Sequence, residues 1–153
     1  MLALLATACA RIASPRGWAS PVLSGDVLLA AHRDELFAFE LDGFKARWAF
    51  PLEHQKDDID PVALYGTPAV ADGAVFVPTH DNTLYAVDIE SGELLWLPFE
   101  TDGSLIGGAV VANGIVYFGS DDGNVYALNA ETGRQEWQPF KTGEKVQSTP
   151  AVA

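Results

Sequence analysis

Tyr65-Gly-Thr-Pro-Ala-Val-Ala-Asp-Gly73, running on through Leu84-Tyr-Ala-Val87 and Asp88-Ile-Glu-Ser-Gly92 to Leu94-Leu-Trp96, decides the fold, because the whole passage comes back 41 residues later. Its second appearance begins at Ile106-Gly-Gly-Ala-Val-Val-Ala-Asn-Gly114, passes through Val125-Tyr-Ala-Leu128 and Asn129-Ala-Glu-Thr-Gly133, and ends at Gln135-Glu-Trp137. Gly73 to Gly114 and Trp96 to Trp137 are both separated by 41. A weaker copy lies upstream, from Pro21-Val-Leu-Ser-Gly25 through Val27-Leu-Leu-Ala-Ala31 and Leu36-Phe-Ala-Phe39 to Trp48. In all three copies the turn glycine precedes the tryptophan by 23 residues. Thr149-Pro-Ala-Val-Ala153 repeats Thr67-Pro-Ala-Val-Ala71 at an offset of 82, so a fourth unit is expected to have begun by the last residue. A fixed period of this length marks a repeat architecture.

Within one period the pattern is short apolar runs divided by turn chemistry, with no helical periodicity. Ser24-Gly25, Asp72-Gly73 and Asn113-Gly114 stand between two apolar runs, where a two-residue hairpin needs residues that tolerate positive φ. Val75-Phe-Val77 and Val116-Tyr-Phe118 are continuous apolar runs, as are the two Tyr-Ala strands, so these strands are expected to be covered on both faces. His80-Asp-Asn-Thr83 and Asp121-Asp-Gly-Asn124 supply a second turn, and Asp88 to Gly92 and Asn129 to Gly133 a third. A fourth strand is then expected to carry the tryptophan. Four antiparallel strands in roughly 40 residues, in tandem, is the arithmetic of a β-propeller blade. The expected fold is therefore all-β: a propeller of four-stranded antiparallel blades at about 21–50, 66–99 and 107–140, with the start of the next at 148–153.

Ala127-Leu-Asn-Ala-Glu-Thr-Gly-Arg-Gln-Glu-Trp137 resembles the tryptophan-docking motif of pyrroloquinoline-quinone (PQQ) propeller repeats, in which alanine, Asp or Asn, threonine-glycine and tryptophan recur at this spacing. Ala127, Asn129, Thr132, Gly133 and Trp137 carry the match; Ala86, Asp88, Gly92 and Trp96 carry it again, with Ser91 for the threonine. Upstream, Ala38 and Trp48 survive while the acid is Glu40 and Gly43 is displaced by one. The resemblance implies that each tryptophan inserts between adjacent blades, so Trp48, Trp96 and Trp137 are expected in the core, each contributing about 2 to 3 kcal/mol by burial. Trp18 falls outside the register and is read as the start of an outer strand. Three repeats do not close a ring of the usual 4 to 8 blades, and this family resembles the eight-bladed kind. The expectation is a fragment of a longer protein, whose further blades complete the ring, with self-association as the alternative.

Composition narrows the partners. The 153 residues hold 9 Lys plus Arg against 21 Asp plus Glu, a formal charge of −12, which opposes contact with nucleic-acid phosphates. Met1 to Ala10 is nearly all apolar but about half the length of a membrane-spanning helix. Leu5-Ala-Thr-Ala-Cys9 resembles a bacterial lipobox, which implies lipid attachment at Cys9 and a signal or lipoprotein-like segment over 1–17, ahead of the repeats at 18–153. Ala6 where a larger aliphatic is usual, and the missing basic start, depart from that pattern; an ordinary signal peptide or a misassigned start codon are the alternatives.

No catalytic, cofactor-binding or metal residues are assigned. Cys9 is the sole cysteine, which leaves no internal disulfide or thiolate cluster. Seven residues are added between Trp48 and Thr67, around Glu53-His-Gln-Lys-Asp-Asp-Ile-Asp-Pro61, an acidic loop of the kind that carries binding on a rigid scaffold. Asp57, Asp58 and Asp60 could approach a calcium ion, but without the glycine and closing carboxylate of an EF-hand loop they read as a solvated loop. His32 and His80 fall at equivalent positions with Asp121 as the third, and the register reads all three as turn residues rather than a metal ring. Quinoprotein dehydrogenases share the repeats; the resemblance to them would require an adjacent cysteine pair, a calcium-binding set and a catalytic aspartate, and no segment here matches. The closer resemblance is to the non-catalytic lipoprotein group of the outer-membrane β-barrel assembly machinery (BamB-like). It implies an extracytoplasmic scaffold, in the periplasm or cell envelope, that binds other envelope proteins through rim loops or strand edges, needs no cofactor and touches a membrane only through a lipid anchor. A dehydrogenase fragment and an extracytoplasmic sensor propeller are the alternatives.

Overall fold

A computed structural model describes residues 17–32, 34–59 and 63–152. It contains three four-stranded antiparallel sheets, each a meander in chain order. The first comprises β1 (Val22–Ser24), β2 (Val27–His32), β3 (Glu35–Glu40) and β4 (Ala46–Phe50); the second β5 (Ala69–Ala71), β6 (Ala74–Pro78), β7 (Thr83–Asp88) and β8 (Phe99–Glu100). The third comprises β9 (Val110–Ala112), β10 (Ile115–Gly119), β11 (Asn124–Asn129) and β12 (Phe140–Lys141). These are three stacked propeller blades, with the short first strands β5 and β9 side by side at the inner edge.

The first hairpins are built as the turn chemistry requires. Ala71 faces Ala74 and Ala112 faces Ile115, leaving two-residue loops in which Asp72, Gly73, Asn113 and Gly114 all adopt positive φ, the twist a hairpin favours. In the first blade Ser24 instead pairs with Val27, so the loop is Gly25-Asp26, one residue later than the sequence reading placed it. The second hairpin shows why: His32 pairs directly with Glu35, whereas Pro78 pairs with Leu84 across a longer turn. The first blade is one residue shorter there, and its outer strands keep register by shifting the first turn.

Strand alternation sends successive side chains to opposite faces, and the middle blade is covered on both. Val75, Val77, Tyr85 and Val87 pack with Leu29, Leu36, Trp48 and Phe50 of the first blade. Phe76, Leu84 and Ala86 face the other way, against Val116, Phe118 and Leu128 of the third. All of β6 is consequently buried, while β2 and β10 alternate buried with half-buried. Two-sided burial was expected of the third blade as well; Tyr117 stays half-buried because no described segment covers its face.

Two further expectations are corrected. Only β4 carries its tryptophan within a strand: in the later blades Trp96 and Trp137 lie between an isolated bridge, at Leu94 or Gln135, and a two-residue outer strand. Trp18 is in no strand; it precedes β1, is 73% exposed, and rests on Tyr65 with ring centroids 4.4 Å apart. Cys9 and Asp60 lie outside the described residues.

Candidate functional site: blade seams and rim turns

The motif residues assemble two blade seams of one design. At the third turn of the second blade the Asp88 carboxylate accepts from the Glu90 and Ser91 amides (3.0 and 2.8 Å) and from the Ser91 hydroxyl (2.9 Å). In the third blade the Asn129 amide oxygen plays the same part toward Glu131, Thr132 and the Thr132 hydroxyl, at 3.2, 3.0 and 3.0 Å. These bonds, led by the Ser91 amide, hold Asp88 below the usual carboxylate range against the opposing pull of burial. Each turn closes with a glycine at positive φ, Gly92 or Gly133, and the preceding blade's tryptophan lies on that glycine. Trp48 Nε1 donates to the Ile89 carbonyl at 2.9 Å, and Trp96 Nε1 to that of Ala130 at 3.2 Å. A Cβ on Gly92 would sit 2.9 Å from the Trp48 ring, and one on Gly133 2.7 Å from Trp96, so close approach and backbone conformation both demand glycine. Ala38, Ala86 and Ala127 are fully buried beneath these seams. In the first blade Phe44 takes the left-handed place that Gly92 and Gly133 hold, and Gly43 before it is left-handed too.

Trp137 departs from the expected core position. It is 46% exposed and touches Tyr117 edge-on at 6.3 Å, with no turn of the described residues beside it. Trp48, at 6% exposure, and the half-buried Trp96 have such a turn beside them.

The opposite rim carries a second recurring device that sequence reading missed. Tyr126 donates to Asp122 at 2.7 Å and Tyr85 reaches Asp81 at 3.4 Å, each phenol spanning the second turn of its own blade. Thr79 adds a short hydroxyl bond to Asp81. Burial, followed by the neighbouring aspartate, pushes both phenols up to about 12, which keeps them protonated as donors. The signal was present in the sequence as Asp81-x-x-x-Tyr85 and Asp122-x-x-x-Tyr126, 41 residues apart.

The histidines do not form a set. His32 ends β2 and corresponds to Thr79, one position out of step with His80, because of the shorter second hairpin. His80 lies edge-on to Tyr65, and its counterpart Asp121 is bonded by Lys145 and Gln147 at 2.8 and 2.9 Å. Those bonds and charges lower the Asp121 carboxyl, outweighing the larger single effect of its burial. Among the described residues no group of three or more His, Cys, Asp or Glu side chains is placed to hold a metal ion. Asp57 and Asp58 are exposed. The added loop that holds them is partly folded: Glu53–Gln55 forms one 3-10 turn, Gln55 and Ile59 are buried, and Lys56 pairs with Glu35 and Glu53 at 3.1 Å each.

A family model for the outer membrane protein assembly factor BamB matches residues 7–139 and again 99–153, nearly the whole chain. The chain belongs to this family of PQQ-like propellers. Among solved structures, BamB from Moraxella catarrhalis superimposes with a TM-score of 0.67 at 17% identity, over 81% of this chain and 35% of that one. A quinohemoprotein alcohol dehydrogenase from Pseudomonas putida gives 0.65 at 25% identity, over 80% of this chain and 20% of that one. A computationally designed protein, Ika4, gives 0.70 at 14%, over 84% and 75%. A comparison with curated proteins finds no match. The chain thus spans about a third of the BamB structure and a fifth of the dehydrogenase. One fold serves both a BamB and alcohol dehydrogenases, so the role must be argued from the residues.

Proposed function

We propose that this chain is part of a non-catalytic BamB-type scaffold of the bacterial cell envelope, binding other envelope proteins through its rim loops and strand edges and serving outer-membrane protein assembly. The observation that carries this reading is how the family's motif residues are used. Asp88, Asn129, Gly92, Gly133, Trp48 and Trp96 are all engaged in turn closure and blade docking, which leaves the loops as the partner-facing surface. The added loop around Glu53–Gln55 is held out beside β4 by His54 on Glu93 and by Lys56 on Glu35.

A dehydrogenase reading draws on the 25% identity with the Pseudomonas putida enzyme. The residues of these blades do not fit a quinone site. The single cysteine cannot form the adjacent pair that the enzymes' resemblance implies, and in the hollow lined by Asp58, Asp81 and Glu100 the Asp81 carboxylate is already bonded by Thr79 and Tyr85. Lipid attachment at Cys9 would place the scaffold on a membrane surface.

The test is photo-cross-linking in living cells from Lys56 of the full-length protein, with partners identified by mass spectrometry. Outer-membrane β-barrel assembly components are expected. Cross-links confined to cytoplasmic proteins, or alcohol-dependent dye reduction by the purified protein after addition of quinone and calcium, would overturn the proposal. Labelled palmitate should enter the protein and be lost in Cys9→Ala; retention of label in that variant refutes the anchor.

A further inference from the structure

Two neighbouring seams of the same design differ in the charges at one end. At the seam of the first and second blades, Arg47, the residue before Trp48, lies among three carboxylates: Asp26 in the first turn of its own blade at 3.2 Å, Glu40 at 3.3 Å, and Glu90 from the next blade at 2.6 Å. Its side chain is only 17% exposed. The guanidinium fills the end of the seam and satisfies acids from both blades, a fork geometry lysine could not reproduce.

At the seam of the second and third blades the residue before Trp96 is Leu95, 45% exposed. One of the three acids keeps its place, Glu131 standing where Glu90 does, two residues after the turn-closing Asx; the place of Asp26 is held by Gly73 and that of Glu40 by Asp88, which closes its own turn, while Asp72, the other residue of the first turn, borders the seam. Neither Glu131 nor Asp72 forms an ion pair with any described residue. Where Arg47 fills the first seam, the second has an open cleft of about 650 Å³ lined by the carboxylates of Asp72, Glu131 and Glu136 and by the apolar Leu95 and Ile115, with the buried Phe76 beneath it.

We infer that this cleft binds an extended segment of a partner protein that presents an arginine, its guanidinium meeting Glu131 as Arg47 meets Glu90 and completing its pairing on Asp72, with an adjoining apolar side chain against Leu95 and Ile115. The charge requirement is read from the filled seam, and the apolar walls supply the burial that a surface ion pair alone lacks. The inference deepens the scaffold reading and rests on it, since it names the chemistry of one partner segment.

The test uses the full-length protein and a fluorescein-labelled hexapeptide with one arginine followed by phenylalanine among alanines and glycines, titrated by anisotropy. A second peptide has citrulline for arginine, which keeps the shape and loses the charge. The arginine peptide should bind about tenfold more tightly. Asp72→Asn with Glu131→Gln should remove that preference, and Leu95→Arg, which supplies the cation in cis, should abolish binding. The pair Asp42→Asn and Glu144→Gln removes the same charge elsewhere and should change nothing. Equal binding of the two peptides, equal loss in the control pair, no binding at about 1 mM, or full binding by Leu95→Arg each overturns the inference. Cross-linking from Lys56 can succeed while the peptide fails, so the two proposals fall separately.

Discussion

Replacing each blade tryptophan with alanine measures the docking mechanism, because identical motif positions have unequal surroundings. Trp48 is 6% exposed, lies on Gly92 and donates to the Ile89 carbonyl. Its truncation should cost about 3 to 5 kcal/mol for the cavity between blades, and the unpaired carbonyl puts the value in the upper half of that range. Trp137 is 46% exposed, and among the described residues its indole nitrogen has no hydrogen-bond partner. Removing it from the 153-residue chain should cost about 1 to 2 kcal/mol, with no cavity contribution. The half-buried Trp96, with its longer bond to Ala130, belongs between them. Urea unfolding followed by circular dichroism gives the three values, provided the denaturant slope stays constant. Equal losses at Trp48 and Trp137 would refute the view that a following turn, rather than the motif itself, creates the buried site. A Trp48→Phe variant separates the contributions: it keeps most of the packing and loses only the N–H bond, at a cost of about 1 kcal/mol.

Gly92→Ala should destabilise far more than Gly73→Ala, although both glycines have φ near +80°, because only the former would drive a Cβ into Trp48; about 1 kcal/mol is expected for Gly73 and several times that for Gly92, measured by the same unfolding. The lowered Asp88 carboxyl contributes stability that is present above its ordinary value of 3.8 and is lost as pH falls through the folded-state value. Acid unfolding of Asp88→Asn, which copies Asn129, should therefore be less steep with pH below about 4, and an unchanged profile would contradict the turn-closing role. Tyr85 and Tyr126, raised to about 12, contribute stability that is intact below the ordinary tyrosine value of 10.0 and is lost as pH rises toward 12. Absorbance at the phenolate band should show two late-titrating tyrosines, and Tyr126→Phe should remove one of them. Arg47→Ala should lower the unfolding midpoint at low salt and by less in strong salt, because three carboxylates lose their cation.

Much of the fold was legible from spacing alone. Turn residues report backbone conformation directly, so Asp72-Gly73 and Asn113-Gly114 could be placed in hairpin loops without knowledge of what surrounds them. The offset of 41 set the second and third blades in register, residue for residue. Less of the candidate site could be read. The His32 and His80 equivalence failed because a one-residue deletion in the second hairpin is compensated by a shift in the first turn, and the two errors cancel in the tryptophan spacing.

What the sequence determined by itself was local and periodic: strands, turns, the repeat, and the residues able to close a turn or take a left-handed backbone. What only the tertiary structure decided was burial and pairing between blades. Trp48 and Trp137 are alike in sequence and unlike in exposure, because a side chain's burial depends on the neighbour that covers it. Arg47 and Leu95 occupy one repeat position, yet one completes a cluster of charges and the other leaves a cleft, since Asp26, Glu40 and Glu90 meet only when two blades stack. The seam bonds of the two tryptophans join residues 41 and 34 positions apart in the chain, and no local pattern encodes that distance.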